Sequence, residues 1–204
     1  MDSKQVEILE EKAEYKGFFS LTSYRLRHTL YQGGWSEVIR RELFHRSRCV
    51  GVVLYDPELD RVVLIEQFRI GAVKSKEVPW LIEIVAGAIE EGESPESVAI
   101  RESEEEAGCS PRELIRIGEF FTTPGANSER LVLFCGLVDS TGVGGIYGLP
   151  EEHEDIRVFV VDFDEAYSWV DSGVIDSAIP IIGLQWLAMN RKRFRPDLKG
   201  SFLV

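Results

Sequence analysis

The run Gly87–Cys109, "GAIEEGESPESVAIRESEEEAGC", decides how the rest of the chain is read. Its second half predicts a helix. Ser94 stands at the N-cap, Pro95 suits the first helical position, and Gly108 follows the last turn, where a left-handed residue ends a helix. Positions i, i+3 and i+4 of a helix share a face, so Glu102, Glu105 and Glu106 project together while Glu104 points roughly the opposite way. The Glu102/Glu106 repulsion costs a few tenths of a kcal/mol, and Arg101 offsets part of it through Glu105, its i+4 neighbour. Two readings follow: a solvated acidic face, or an oxygen-rich site for a hard divalent cation such as Mg²⁺ or Mn²⁺. A helix that serves only solubility usually alternates its signs, and this one does not.

The flanking sequence supplies strands. "CVGVVLY" (49–55) and "RVVLIEQF" (61–68) are β-branched runs joined by "DPELD", a Pro/Asp turn, and predict a hairpin. "WLIEIVAGAI" (80–89) reads as strand into loop. Strands follow at about 113–122 and 129–138 with "TTPGANS" between them, then a Gly-rich loop, the strand "IRVFVV", and helices near 163–172 and 176–192. The first ~45 residues read as short extended pieces, too few to bury a core alone, so they must pack on the remainder or on a second subunit. This order predicts an α/β (α+β) fold: a mixed β-sheet between helices, with a small antiparallel N-terminal region at 1–45 and a main domain at 46–204.

Composition narrows the function. The chain carries 35 acids against 23 bases, a net charge of −12. A field of that sign repels nucleic acid and anionic lipid, so neither is expected as a partner. A small anionic substrate remains compatible, because bound cations reverse the field locally. Cys49, Cys109 and Cys135 are widely spaced and form neither a disulfide framework nor a zinc pattern. The polar, acidic start resembles no signal or transit peptide, and no apolar run approaches the roughly 18 residues of a membrane span. The expected location is cytoplasmic.

The spacing of the opening run is Gly87, five residues, Glu93, seven residues, Arg101-Glu102, then Glu105-Glu106, one residue and Gly108. It resembles the signature of the Nudix hydrolases, which cleave nucleoside diphosphates linked to another moiety, and every fixed position is matched. Ser103 stands where an apolar residue is expected, which should loosen helix packing slightly; Cys109 is an acceptable small hydrophobe. The resemblance implies a metal cluster from Glu102, Glu106, often Glu105, and the carbonyl of Ala86, braced by Glu93 and Arg101. Glu90, Glu91, Glu96 and Glu104 keep the reading of solvated surface.

Beyond this run, "GFFSL", "RREL", "LIEQFRIGA", "TPGANSER" and "YGLPEEHEDIRV" resemble the ADP-ribose pyrophosphatase subfamily. That likeness implies hydrolysis of ADP-ribose to AMP and ribose 5-phosphate with Mg²⁺ (or Mn²⁺), in a homodimer whose N-terminal sheet reaches the partner. It points to Glu152 as general base and Glu154 as a further metal ligand. Arg69 and Arg41 become candidates for binding the substrate's phosphates, Phe18 or Phe19 for stacking on adenine, and Glu129 for contacting the terminal ribose. His153 is read as a solvated loop residue. Two alternatives stay open: a pyrophosphatase for another nucleoside diphosphate sugar such as GDP-mannose or ADP-glucose, and a non-hydrolysing ADP-ribose sensor.

Overall fold

The computed structural model describes residues 4–195, which fall into two compact units. One takes the chain up to Arg48 together with Phe120–Leu131; the other takes Cys49–Glu119 and the chain from Val132 onward.

The first unit is a three-stranded antiparallel sheet in the order β1 (Val6–Lys16), β2 (Ser20–His28), β3 (Ile39–His45). β1 is long and mostly polar, and cross-strand ion pairs hold it: Glu7 to Arg27 at 2.6 Å and Glu10 to Arg25 at 3.2 Å. Phe120–Leu131 joins through backbone bonds, Phe44 N–H to Ala126 O at 2.8 Å and Ser128 N–H to Phe44 O at 3.1 Å. Val6, Ile8, Tyr15, Phe18 and Tyr31 stay exposed. A sheet this small buries little, as the sequence implies.

The second unit is built on a sheet ordered β10-β11-β5-β4-β9-β8, with β6 added to β5 and β7 to β4. Its strands are β4 (Cys49–Asp56), β5 (Arg61–Phe68), β6 (Trp80–Glu83), β7 (Val85–Ala88), β8 (Glu113–Phe121), β9 (Arg130–Leu137), β10 (Gly145–Tyr147) and β11 (Ile156–Asp162). Its helices are α1 (Pro95–Ala107), α2 (Phe163–Asp171) and α3 (Ala178–Asn190). α1 packs on the face formed by Val50, Val52, Leu54, Val63, Ile65 and Val85, through Val98, Ala99 and Ala107. Across the sheet, Gly183 of α3 lies against Val53 and Ile84, so helices cover both faces. That is why β4 and β5 read as continuous apolar runs rather than alternating ones.

Two elements differ from the sequence reading. "WLIEIVAGAI" is two strands broken at Ile84: β6 pairs with β5 and β7 with β4, so one apolar run serves two neighbours. The Gly-rich loop carries the short strand β10, paired with β11. Ser103 is completely buried, yet its hydroxyl donates to Ala99 O at 2.6 Å, which satisfies the polar group inside the α1 interface.

Candidate active site

The acidic helix is held at both ends. Ser94 Oγ accepts the Ser97 N–H at 3.1 Å, Pro95 opens the first turn, and Gly108 closes the helix at φ 64° with its N–H on Glu104 O. A Cβ at Gly108 would also strike the Tyr147 ring, so glycine is required there for space as well as conformation. With its ends fixed and its apolar face on the sheet, α1 turns Glu102 and Glu106 inward.

Glu106 is only 3% exposed, and its Oε2 accepts the Ala86 N–H at 2.9 Å. Burial pushes its carboxyl up to about 8, with Glu102 and Glu154 adding to the rise and Arg69 opposing it. Glu102 rises to about 7, again mainly through burial, with Arg101 working against the shift and Glu105 and Glu154 with it. The three carboxylates Glu102, Glu106 and Glu154 therefore feel one another as like charges. Gly87 makes room for Glu102: a Cβ at this position would land on its carboxylate.

Arg101 ties the helix to the preceding loop. Its Nη1 lies 2.9 Å from Glu105 and 3.0 Å from Glu102, and its Nη2 is 3.6 Å from Glu93. Glu93 in turn accepts the Glu90 N–H at 2.9 Å, which closes the loop on itself. Burial works against the Arg101 charge, but Glu102, Glu105 and Glu93 overcome it and hold its pKa above the ordinary value.

The loop between β10 and β11 also meets α1, where the Gly148 N–H donates to Glu105 O at 3.3 Å. Glu154 folds back within this loop, its Oε2 accepting the Leu149 N–H at 3.2 Å, while Gly148 at φ 101° leaves room for its Cβ. Glu152 ends a short 3-10 turn, Pro150–Glu152, and is exposed; His153 follows, exposed and left-handed at φ 58°.

Arg69 follows β5 and donates from Nε to Glu83 Oε2 at 2.6 Å. Sequence reasoning missed Glu83. A signal existed, because in "WLIEIVAGA" it is a charged residue at the inward parity of an apolar strand, which demands a partner. Arg41, Phe18 and Glu129 belong to the first unit. There Arg41 donates to Arg40 O at 2.8 Å, and Phe18 is 95% exposed with its ring edge-on to Phe19. Glu129 is held by Arg46 at 3.0 Å and Thr122 Oγ1 at 2.9 Å.

Among the described residues no three acidic, His or Cys side chains converge as a finished ligand set. The donor chemistry nevertheless fits a hard divalent cation: one buried and two partly buried carboxylates that repel one another beside a glycine cradle, with Arg101 acting on Glu102 and Arg69 on Glu106. Neutralising that repulsion is what a bound cation would do.

Comparison with known proteins agrees with this geometry. The NUDIX domain description matches residues 45–178. The chain is 46% identical over 201 residues to the ADP-ribose pyrophosphatase of Haemophilus influenzae, covering 97% of this chain and 93% of that protein. It is 48% identical over 192 residues to the ADP-ribose pyrophosphatase of Escherichia coli, covering 94% and 92%. A crystal structure described as an ADP compounds hydrolase superposes with a TM-score of 0.69 at 18% identity, over 91% of this chain and 96% of that one.

Proposed function

The chain belongs to the Nudix family, and from that membership we propose that it hydrolyses the diphosphate of ADP-ribose in a divalent-metal-dependent reaction, Mg²⁺ being the metal. Water attacks one phosphorus, the bond from that phosphorus to the bridging oxygen breaks, and AMP and ribose 5-phosphate leave. The observation that carries this reading is the buried Glu106 beside the partly buried Glu102, inside a chain nearly half identical to ADP-ribose pyrophosphatases over almost its whole length.

Glu102, Glu106 and Glu154, with the Ala86 carbonyl, would hold the metal. The chemistry a bound divalent cation supplies is neutralisation of the diphosphate oxygens and acidification of the attacking water. Glu152 accepts the proton that water gives up; its exposed position on a short loop turn suits a group that moves onto the substrate. Arg101 and Glu93 keep the loop and helix in register, and Glu105 anchors Arg101. Arg69 and Arg41 bind phosphate oxygens, Phe18 offers its exposed ring to adenine, and Glu129 takes the terminal ribose. The protein acts as a homodimer; the exposed apolar side chains of the first unit support this reading.

Turnover on a panel of ADP-ribose, ADP-glucose and GDP-mannose with Mg²⁺ tests the assignment. ADP-ribose is expected to give the highest kcat/KM. If it ranks among the poorest substrates, the substrate assignment is wrong.

A further inference from the structure

Among the described residues one buried side-chain nitrogen has no hydrogen-bond partner, the amide Nε2 of Gln67. Gln67 is 7% exposed and lies on β5 between Ile65 and Arg69, on the face that α1 covers. Its polar character at an inward position is costly, because a buried donor left unmade forfeits its hydration without return. The nitrogen has essentially no surface for a ligand to reach. A protein acceptor that a side-chain rotation brings to it would satisfy it.

The register identifies that group. Ile65 lies opposite Glu83 and Gln67 opposite Leu81, so Glu83 is the diagonal neighbour of Gln67, within reach of a long side chain. The Glu83 carboxylate is buried and holds Arg69 Nε at 2.6 Å. Arg69 is the guanidinium assigned above to the substrate's phosphates. If it turns its charge to a phosphate oxygen, Glu83 stays behind as a buried anion that has lost its donor, which strongly opposes the movement.

We propose that Gln67 is a positioning residue of the diphosphate subsite, whose amide N–H takes over the Glu83 carboxylate when Arg69 is drawn to the substrate. The unpartnered donor of the free protein is then a reserve. It weakens the empty state and makes the exchange of Arg69 from Glu83 to phosphate nearly balanced. The inference rests on the assignment of ADP-ribose to this site.

The test uses Gln67→Leu and Gln67→Met in the full chain, each also in a Glu83→Gln background. Melting temperature without ligand is read beside kcat and KM for ADP-ribose with Mg²⁺. Both single variants are expected to melt at or above the wild-type temperature. KM should rise about tenfold, the scale of one hydrogen bond to a charged group, with kcat changed much less. In the Glu83→Gln background, where no buried charge needs a donor, the effect on KM should shrink below about twofold. Variants that melt lower and bind as wild type would make Gln67 a packing residue and overturn the proposal. A tenfold effect that persists in the Glu83→Gln background overturns it as well. A wild type that leaves ADP-ribose intact overturns the functional reading itself, and the wild-type arm separates that failure from the other two.

Discussion

At the scale of single residues, Glu106 combines a structural contact with a chemical cost. Its carboxylate satisfies the Ala86 N–H, yet burial holds it near 8. Glu106→Gln keeps an acceptor for that N–H and removes the charge. The variant is expected to fold with unchanged or higher stability while kcat/KM falls by several kcal/mol of transition-state stabilisation, on the order of a thousandfold. Steady-state kinetics beside thermal melting separates the two effects. Gln67 and Glu83 belong at this scale too, and neither was legible as part of the proposed diphosphate subsite. Each is a polar residue at inward parity, but sequence shows only the parity and not the partner.

The carboxyls of Glu102 and Glu106 also predict a pH dependence. Both rise through burial, to about 7 and about 8, so near neutral pH the metal-free site holds protons that a bound cation must displace. Apparent Mg²⁺ affinity should tighten as pH rises through that range and level off above it. Calorimetric titration at pH 6, 7 and 8.5 measures it, and an affinity independent of pH would contradict the burial described here. Stability without metal runs the opposite way. A carboxyl raised in the folded state is most favourable to folding while protonated, and that contribution is lost as pH rises toward its folded value.

At the scale of elements, α1 was the most legible part of the chain. Its capping residues act through local side chain–backbone chemistry that sequence states directly, and Ser94, Pro95 and Gly108 occupy those roles. Gly87 belongs to the same unit of structure. Gly87→Ala should drive a methyl into the Glu102 carboxylate and displace it, with activity falling at least a hundredfold while melting changes by only a few degrees. Equal loss of both would instead make Gly87 a folding residue. The break between β6 and β7 was not legible, because nothing in a uniformly apolar stretch marks a change of neighbour at Ile84. β1 was obscured for the opposite reason. "VEILEEKAEYK" is too charged to read as one long strand, and its acids find their Arg partners only across the sheet. β10 is three residues long and leaves no period to detect.

At the scale of the whole molecule, the α+β order and the helix-covered sheet followed from the alternation of apolar runs and one well-capped helix. The residues of the first unit could be named by resemblance, but the sheet that carries them and its capture of Phe120–Leu131 depend on pairings distant in sequence. The β4–β5 hairpin is secured in the same long-range way. Asp56 accepts the Glu58 and Leu59 N–H groups on one oxygen and both the N–H and hydroxyl of Ser140 on the other. Burial alone would raise this carboxyl, but the bonds from Ser140, Leu59 and Glu58 outweigh it and hold it below its ordinary value. Its contribution to stability is therefore present above the ordinary carboxylate range and lost as pH falls through the lowered value. Asp56→Asn turns an amide NH₂ toward one pair of donors and should cost about 2 kcal/mol at pH 7 in a urea titration, with the difference from wild type shrinking in acid.

The most direct measurement follows purified wild-type protein with ADP-ribose and Mg²⁺, beside a chelator control and the Glu106→Gln variant, by quantifying AMP and ribose 5-phosphate. Equal amounts of the two products, absent with chelator and reduced about a thousandfold in the variant, are predicted. Intact ADP-ribose, or the same rate in all three arms, would contradict the assignment of this carboxylate cluster to metal-dependent hydrolysis.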